Sequence, residues 1–462
     1  MRTLRVLVYC FAVGSLLSMG VPATAQVLSA GPAIYEGARL ILGDGAAPIE
    51  VGAFVVQDGR ITAIGPSGSV TAPAGATRID LTGKTVMPAM VNLHAHVGFE
   101  RFTVAGGESL PESFTPENIL DHLQRQAFYG TGTVNDAGSA QVAMSQKFIM
   151  DQAAGEFPPA AQLVLMAGVV PVNGGPDRIL IKGTRPLHAN YEVTRSPEAR
   201  AAVQDIAAKN VNQLKIWIGD RGGSYPAMPH EVYDAVIDEA HQLGIKVHSH
   251  AGSVRDQKDA LRAGVDVIVH SIQREKVDDE LMELVREKRP YWTTVMGLSD
   301  RSEVCDNDPF VLQQLPEVGI ADILASNCNP NLNAATREEN LQYNFTRMIE
   351  AGARLVLGTD AGVFPRYTFG SSDHHELMRY VELGLTPAEA IVAATSRPAE
   401  ALGLTDVGKL AVGMRADFLV LNANPLEDIS NTRQIASVYL RGAMLDREGL
   451  LAQWRRPTGT SF

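Results

Sequence analysis

The alternation of short apolar strands with helices predicts an α/β protein, a (β/α)8 TIM barrel with a small β-sandwich domain built from both chain ends. Three observations carry this expectation. A unit of helix, Gly or Asn, apolar strand and closing polar residue recurs through the middle of the chain. Strand-like segments broken by turn residues stand at both ends. The length of 462 residues suits one large domain plus a smaller one.

In the central repeat, Glu239-Ala240-His241-Gln242-Leu243-Gly244 leads into Ile245-Lys246-Val247 and His248. Ala260 to Gly264 leads into Val265–Val269 and His270, and Met348 to Gly352 leads into Arg354–Leu357 and Thr359-Asp360. Ala207-Ala208-Lys209-Asn210 leads into Val211–Leu214 and Lys215. Gly or Asn suits the left-handed residue that ends a helix, and helix–strand alternation implies a parallel sheet. Met87–Leu93, Gly132–Asn135, Leu163–Ala167 and Tyr291–Val295 bring the strands to eight, which fits a closed barrel better than an open sheet.

At the N-terminal end, Phe54-Val55-Val56 and Ile61-Thr62-Ala63-Ile64 flank Asp58-Gly59, a dipeptide suited to a type I′ hairpin. Near the other end, Ala416–Leu421 and Ser437–Leu440 are again short strands. Each β segment is too small to bury a core alone, so the economical arrangement pairs residues 26–85 with 407–462 beside a barrel of residues 86–406.

The first 25 residues read separately. Arg2 and Arg5 precede an apolar run from Val6 to Leu17, and Ala23-Thr24-Ala25 follows as a small-x-small cleavage pattern. The run is short for a membrane span, so the reading is a secretory signal cut near Ala25, which places the protein in the periplasm or outside the cell. The alternative is an N-terminal membrane anchor. Cutting there removes two positive charges and no acids, taking the formal net charge from -12 to -14. So acidic a surface argues against nucleic acid and anionic membranes as partners and says little about the substrate, which is expected to be a small molecule. A homo-oligomer is compatible with the sequence. Cys305 and Cys328 would remain, either as one disulfide or as two buried thiols.

Catalytic groups of a barrel collect where its strands end. The residues closing these strands are His94, His96, Lys215, His248, His270 and Asp360. Imidazole and carboxylate ligands suit Zn2+ and similar ions. In His94-Ala95-His96 the period of two points both rings to one side; such a pair alone is as compatible with a structural role. Lys215 is unusual, because an ammonium repels cations. Burial lowers its pKa, and a neutral amine can react with CO2 to give an anionic carbamate that bridges two ions. The alternative is an ordinary lysine paired with Asp360 or Asp220.

Together these segments resemble the amidohydrolase superfamily, in particular its binuclear prolidase-like and imidazolonepropionase-like branch. Met87-Pro88-Ala89-Met90-Val91-Asn92-Leu93-His94-Ala95-His96 is similar to the first-strand motif PGLID-x-H-x-H, with Ala89 for Gly and Asn92 for Asp. Val247-His248-Ser249-His250, Ala263-Gly264-Val265-Asp266 and His270 resemble the fifth- and sixth-strand block. Leu357-Gly358-Thr359-Asp360-Ala361-Gly362 resembles the eighth-strand motif, and Leu383–Ala390 and Gly413–Asp417 the C-terminal signature. The resemblance spans about residues 31 to 446. It implies that His94, His96 and Asp360 hold one divalent ion, that His248 and His270 hold a second, and that carboxylated Lys215 bridges them. His248 is chosen over His250 by its place in the motif, which leaves His250 as a substrate contact or a support.

The implied reaction is hydrolysis of an amide- or peptide-type C–N bond in a small substrate such as a dipeptide or N-acyl amino acid. A hydroxide bridging two ions, most simply Zn2+, would attack, with Asp360 shuttling the proton. Tyr225 and Arg366 are weaker candidates for substrate contacts, each as compatible with a surface loop, as is Tyr367. Asp136 reads as a structural hydrogen-bonding residue. His374 and His375 read as surface positions, and His122, His188, His230 and His241 as structural. The alternatives are ester, lactone or phosphotriester hydrolysis at the same site, a mononuclear deaminase, or a non-catalytic binding protein.

Overall fold

A computed structural model describes residues 31–98, 114–139, 141–175, 190–296, 307–315, 320, 333–363 and 368–455. The first 30 residues, Cys305, Cys328, His188, Arg366 and Tyr367 lie outside the described residues. No described helix is long and apolar enough to cross a membrane.

The chain begins with strands β1 (Ala33–Leu40), β2 (Ile49–Gln57), β3 (Arg60–Pro66), β4 (Thr77–Asp80) and β5 (Thr85–Pro88). Asp58 and Gly59 both adopt left-handed φ, 51° and 73°, and turn β2 into antiparallel β3 as their sequence requires.

The barrel strands follow: β6 (Met90–Ala95), β7 (Thr131–Asp136), β8 (Gln162–Val164) and β9 (Ala167–Pro171), then the short β10 (Tyr191–Val193). They continue with β11 (Gln213–Trp217), β12 (Lys246–His250), β13 (Val267–Val269), β14 (Tyr291–Thr293) and β15 (Arg354–Leu355). The chain then returns with β16 (Phe418–Leu421), β17 (Ile435–Leu440) and β18 (Ala443–Met444).

Strands from both chain ends join in one eight-stranded sheet, in which β16 pairs antiparallel with β5. Tyr35 stacks on Phe54, and both meet Phe418 edge-on at ring separations of 5.2 and 5.1 Å. Phe418 in turn stacks on Tyr439. These rings come from segments that cannot bury an apolar face separately, so the cluster joins the two ends through area burial and favourable ring geometry.

The expected first barrel strand, Met87–Leu93, proves to be two elements. Thr85–Pro88 belongs to the end sheet, and Met90–Ala95 to the barrel. Pro88 lacks an N–H for a continuous ladder, and Ala89 takes its backbone bond from the other sheet, its N–H donating to Asp417 O. The third barrel strand is likewise divided. β8 pairs with β7 and β9 with β11, so the chain crosses between the two barrel sheets at Leu165 and Met166.

All barrel pairings from β6 to β15 are parallel. The ring closes where Leu93 N–H donates to Leu357 O, Thr359 N–H to His94 O and His96 N–H to Ala361 O. Gly358 permits that approach, because a Cβ there would lie 2.6 Å from His94 Cβ and 2.3 Å from Thr293 Oγ1. Each expected helix-ending residue is left-handed: Asn210, Gly244, Gly264 and Gly352 have φ of 56°, 72°, 97° and 93°. Thr386 and Glu389 of the C-terminal signature form a reciprocal capping box on the helix Pro387–Ala394.

Candidate metal centre

His94 and His96 end β6 on one face, and Asp360 follows β15 across the closing seam. All three are buried, and one ligand atom from each lies within 4.8 Å of the others. His94 Nε2 stands 2.8 Å and His96 Nε2 3.2 Å from Asp360 Oδ1. Ser139 Oγ meets His96 Nδ1 at 2.8 Å and leaves Nε2 facing Asp360. Yet His94 Nε2 and Asp360 Oδ1 do not align as donor and acceptor, and both count among the buried polar atoms without a hydrogen-bond partner. Such orphaned atoms cost about 1–3 kcal/mol each, more for charged groups. Atoms that converge without bonding one another suit a cation between them, so this cluster can hold a metal ion.

The opposite wall is built by register. Lys215 on β11 lies beside His248 on β12, and Trp217 beside His250. Lys215 is 1% exposed, with no carboxylate within ion-pair distance among the described residues. Its Nζ sits 5.1 Å from the Trp217 ring. Burial lowers its pKa to about 7, with Arg221 pushing the same way and Asp360 and Asp136 opposing. Gly138 makes room for it, since a Cβ there would lie 2.5 Å from Lys215 Cβ.

His248 and His250 share a face but not an environment. His248 Nε2 is occupied by Gln213 Oε1 at 2.9 Å, two residues deeper by register, while its Nδ1 has no partner. His250 Nδ1 instead meets His270 Nε2 at 2.7 Å, with the rings 4.3 Å apart. The His270 ring also lies 5.9 Å from that of His94, which links the two walls. Burial lowers the pKa of His94 and of His248 to about 3, and takes His250 and His270 well below the ordinary value, so these rings are neutral and fit to ligate.

Two site residues hold unusual backbones: His270 at φ 86° and Asp360 at φ 56°. A non-glycine residue in this region costs about 1–3 kcal/mol. His270 is held by its N–H to Thr293 O and by donors from Trp292 and Gln257 to its carbonyl. Asp360 is held by its N–H to His94 O.

Asp136 has the structural role expected of it, accepting from the N–H groups of Val97, Gly138 and Ser139. The surface reading of His374 and His375 is corrected, because both are buried at the start of the helix Ser371–Glu382. His374 is fixed there by Thr432 Oγ1 and Tyr129 O. His122 is buried against Phe369, while His230 and His241 pair with Asp234 and Asp266. Tyr225 is half-buried beneath Arg221, 5.6 Å from its guanidinium carbon.

Arg221 is the residue that sequence reasoning missed. It follows β11 in the loop Gly219-Asp220-Arg221-Gly222-Gly223, with a left-handed φ of 53°. Its charge bears on Lys215, His250, His270 and Asp360, and none of the described carboxylates forms an ion pair with it. A cation six residues past Lys215, inside a Gly-rich loop at a barrel mouth, was the available signal.

A buried set of imidazoles with one carboxylate, at the C-terminal mouth of a (β/α)8 barrel, is the arrangement of a metal-centred enzyme. The chain belongs to the amidohydrolase family, whose model matches residues 85–445, and it is accordingly a hydrolase. It is 25% identical over 413 residues to an imidazolonepropionase of Deinococcus radiodurans, covering 86% of this chain and 92% of that protein. It is 24% identical over 422 residues to a 5-methylthioadenosine/S-adenosylhomocysteine deaminase of Halalkalibacterium halodurans, covering 84% of each. Among solved structures it resembles a putative prolidase from Bifidobacterium longum, with a TM-score of 0.69 at 26% identity, covering 92% of this chain and 99% of that one.

Proposed function

We propose that this protein is a binuclear metal hydrolase that cleaves an amide-type C–N bond in a small, carboxylate-bearing substrate such as an N-acyl amino acid or dipeptide. The observation that carries the reading is the convergence of buried ligand atoms of His94, His96 and Asp360, with His94 Nε2 and Asp360 Oδ1 lacking a hydrogen-bond partner, faced by the His250–His270 pair and a buried lysine. His94, His96 and Asp360 would hold one ion. His270 would hold the second, and Lys215, as its carbamate, would bridge the two. Two divalent cations, most simply Zn2+, would lower the pKa of a water toward neutrality and polarise a scissile carbonyl. Asp360 would take the proton of the attacking water and return it to the leaving nitrogen. Arg221, propped on Tyr225, would hold the substrate carboxylate.

Here we take His250, in place of the motif's His248, as the partner of His270, because His250 Nδ1 already meets His270 Nε2, while His248 has its Nε2 on Gln213 and keeps only Nδ1 without a partner. His250→Ala is therefore expected to leave one ion per chain by elemental analysis, and His248→Ala to keep two. The reverse result would return the role to His248.

In the same reading the first 25 residues are a secretory signal, the end sheet of residues 26–85 and 407–462 curls into a sandwich, and the partner is a small molecule. The reading is tested with purified, Zn-loaded protein against N-acyl amino acids, dipeptides, the same amides without a carboxylate, esters and phosphotriesters. Carboxylate-bearing amides are expected to turn over best. Arg221→Leu should raise their KM roughly ten- to a hundredfold, the scale of a lost hydrogen bond to a charged group, and leave the uncharged amides unaffected. Turnover confined to esters or phosphotriesters would defeat the C–N assignment. The similarity to a deaminase favours a one-ion alternative, which elemental analysis separates.

A further inference from the structure

Behind the His94–Asp360 contact lies a second buried polar layer that the reaction does not use. Asn92, 0% exposed, accepts the His94 backbone N–H on its Oδ1 at 2.9 Å. Its Nδ2 donates to Thr359 Oγ1 at 2.9 Å and to Asp373 Oδ1 at 2.8 Å. Asp373, also 0% exposed, sits in the first turn of the helix Ser371–Glu382 and accepts Thr131 Oγ1 from the start of β7 on its other oxygen. One amide and one carboxylate thus join three barrel strands and a helix. They grip the backbone of one expected ligand, His94, and the neighbour of another, Asp360.

The amide orientation follows from its partners. Oδ1 must face an N–H, and Nδ2 must face a carboxylate. No Lys or Arg among the described residues forms an ion pair with Asp373; its partners are an amide and hydroxyls. Burial, opposed by the hydrogen bonds from Thr131 and Asn92, pushes its carboxyl up to about 7. Glu376, buried on the same helix, adds to the push. Asn92 meets Asp373 as a donor, a place that a second carboxylate cannot take while keeping that bond. A second acid in contact with the first would have to be protonated or displace its neighbour.

We infer that Asn92 and Asp373 are a reciprocal amide–carboxylate pair of positioning residues, interchangeable as a pair but not singly, that sets His94 and Asp360 for metal binding. The motif that the first strand resembles carries Asp at position 92, and here the carboxylate stands on the helix instead. The inference rests on the proposed ligand roles of His94 and Asp360, and concerns what holds them in place.

The test is a cycle of wild type, Asn92→Asp, Asp373→Asn and the double exchange. Each is read for the unfolding midpoint without metal, for Zn2+ affinity, and for kcat and KM. Asn92→Asp should lower the midpoint by several degrees, weaken Zn2+ binding about ten- to a hundredfold and lower kcat with little change in KM. Asp373→Asn should fall between it and wild type, since two amides can still bond each other. The double exchange should restore all readouts to within about threefold of wild type in affinity and kcat. If Asn92→Asp does not fold, recovery of a folded protein by the added Asp373→Asn supports the pair. A fully tolerated Asn92→Asp, or a double exchange no better than it, overturns the inference. The metal-free midpoint tests the pairing even if the binuclear reading fails, so the two failures remain distinguishable.

Discussion

Asp360→Asn is expected to keep the fold and at least one bound ion while losing roughly 10²–10⁴ in kcat, the span typical of a general acid–base group. A residue that only positions an ion can be replaced by another oxygen donor with partial retention. Asn has nearly the same shape and keeps the backbone bond to His94 O, so the left-handed turn at Asp360 is retained. What it lacks is a carboxylate that can accept a proton near neutral pH. Burial alone would raise the Asp360 pKa, but the imidazoles of His94, His96 and His270 that face it outweigh that and hold it well below the usual range. It therefore starts each cycle ionised, able to receive a proton and poorly able to keep it, as a shuttle requires. Elemental analysis confirms the ions, and single-turnover kinetics isolates the chemical step. Near-normal kcat with metals bound would leave Asp360 a plain ligand and move proton transfer to another group.

Much of this site could be read from the chain because a barrel converts sequence periodicity into position. Once Asn210, Gly244, Gly264 and Gly352 mark helix ends, the polar residue closing each following strand must lie at one mouth. That logic located Lys215, His270 and Asp360 without any contact information. It could not choose between His248 and His250, which have the same strand parity and differ only in depth. Their surroundings come from neighbouring elements, Gln213 beside His248 and His270 beside His250. Nor could it reveal Asn92 with Asp373, partners 281 residues apart that meet only when the barrel closes. His374 and His375 read as surface residues because they stand at a helix start. Both are buried, and His374 is met there by Tyr129 and Thr432 from distant segments. Pro88 divided a stretch that hydrophobicity alone reads as one strand.

Lys215 carries the other large expected effect, and it tests the second ion directly. Lys215→Met keeps a long apolar side chain in the space beside Gly138, so loss of function will not simply reflect a cavity. The variant is expected to fold, to lose one ion and to fall at least about 10²-fold in turnover, the upper end of what even indirect support of a metal ligand is worth. The argument concerns charge. An ammonium so close to His94 and Asp360 would repel a cation, whereas the neutral amine can add CO2, forming one N–C bond and releasing one proton to leave an anionic carbamate. Burial is the main reason the amine is neutral, bringing its pKa from 10.5 to about 7. Above that pH most of the amine is free to react, and below it protonation competes, so dependence on added bicarbonate should grow as the pH falls through 7. Metal-stripped wild type should regain activity with Zn2+ plus bicarbonate faster than with Zn2+ alone, and Lys215→Met should gain nothing from bicarbonate. Two ions and full turnover in Lys215→Met would remove the carbamate from the site and leave the lysine a buried structural amine.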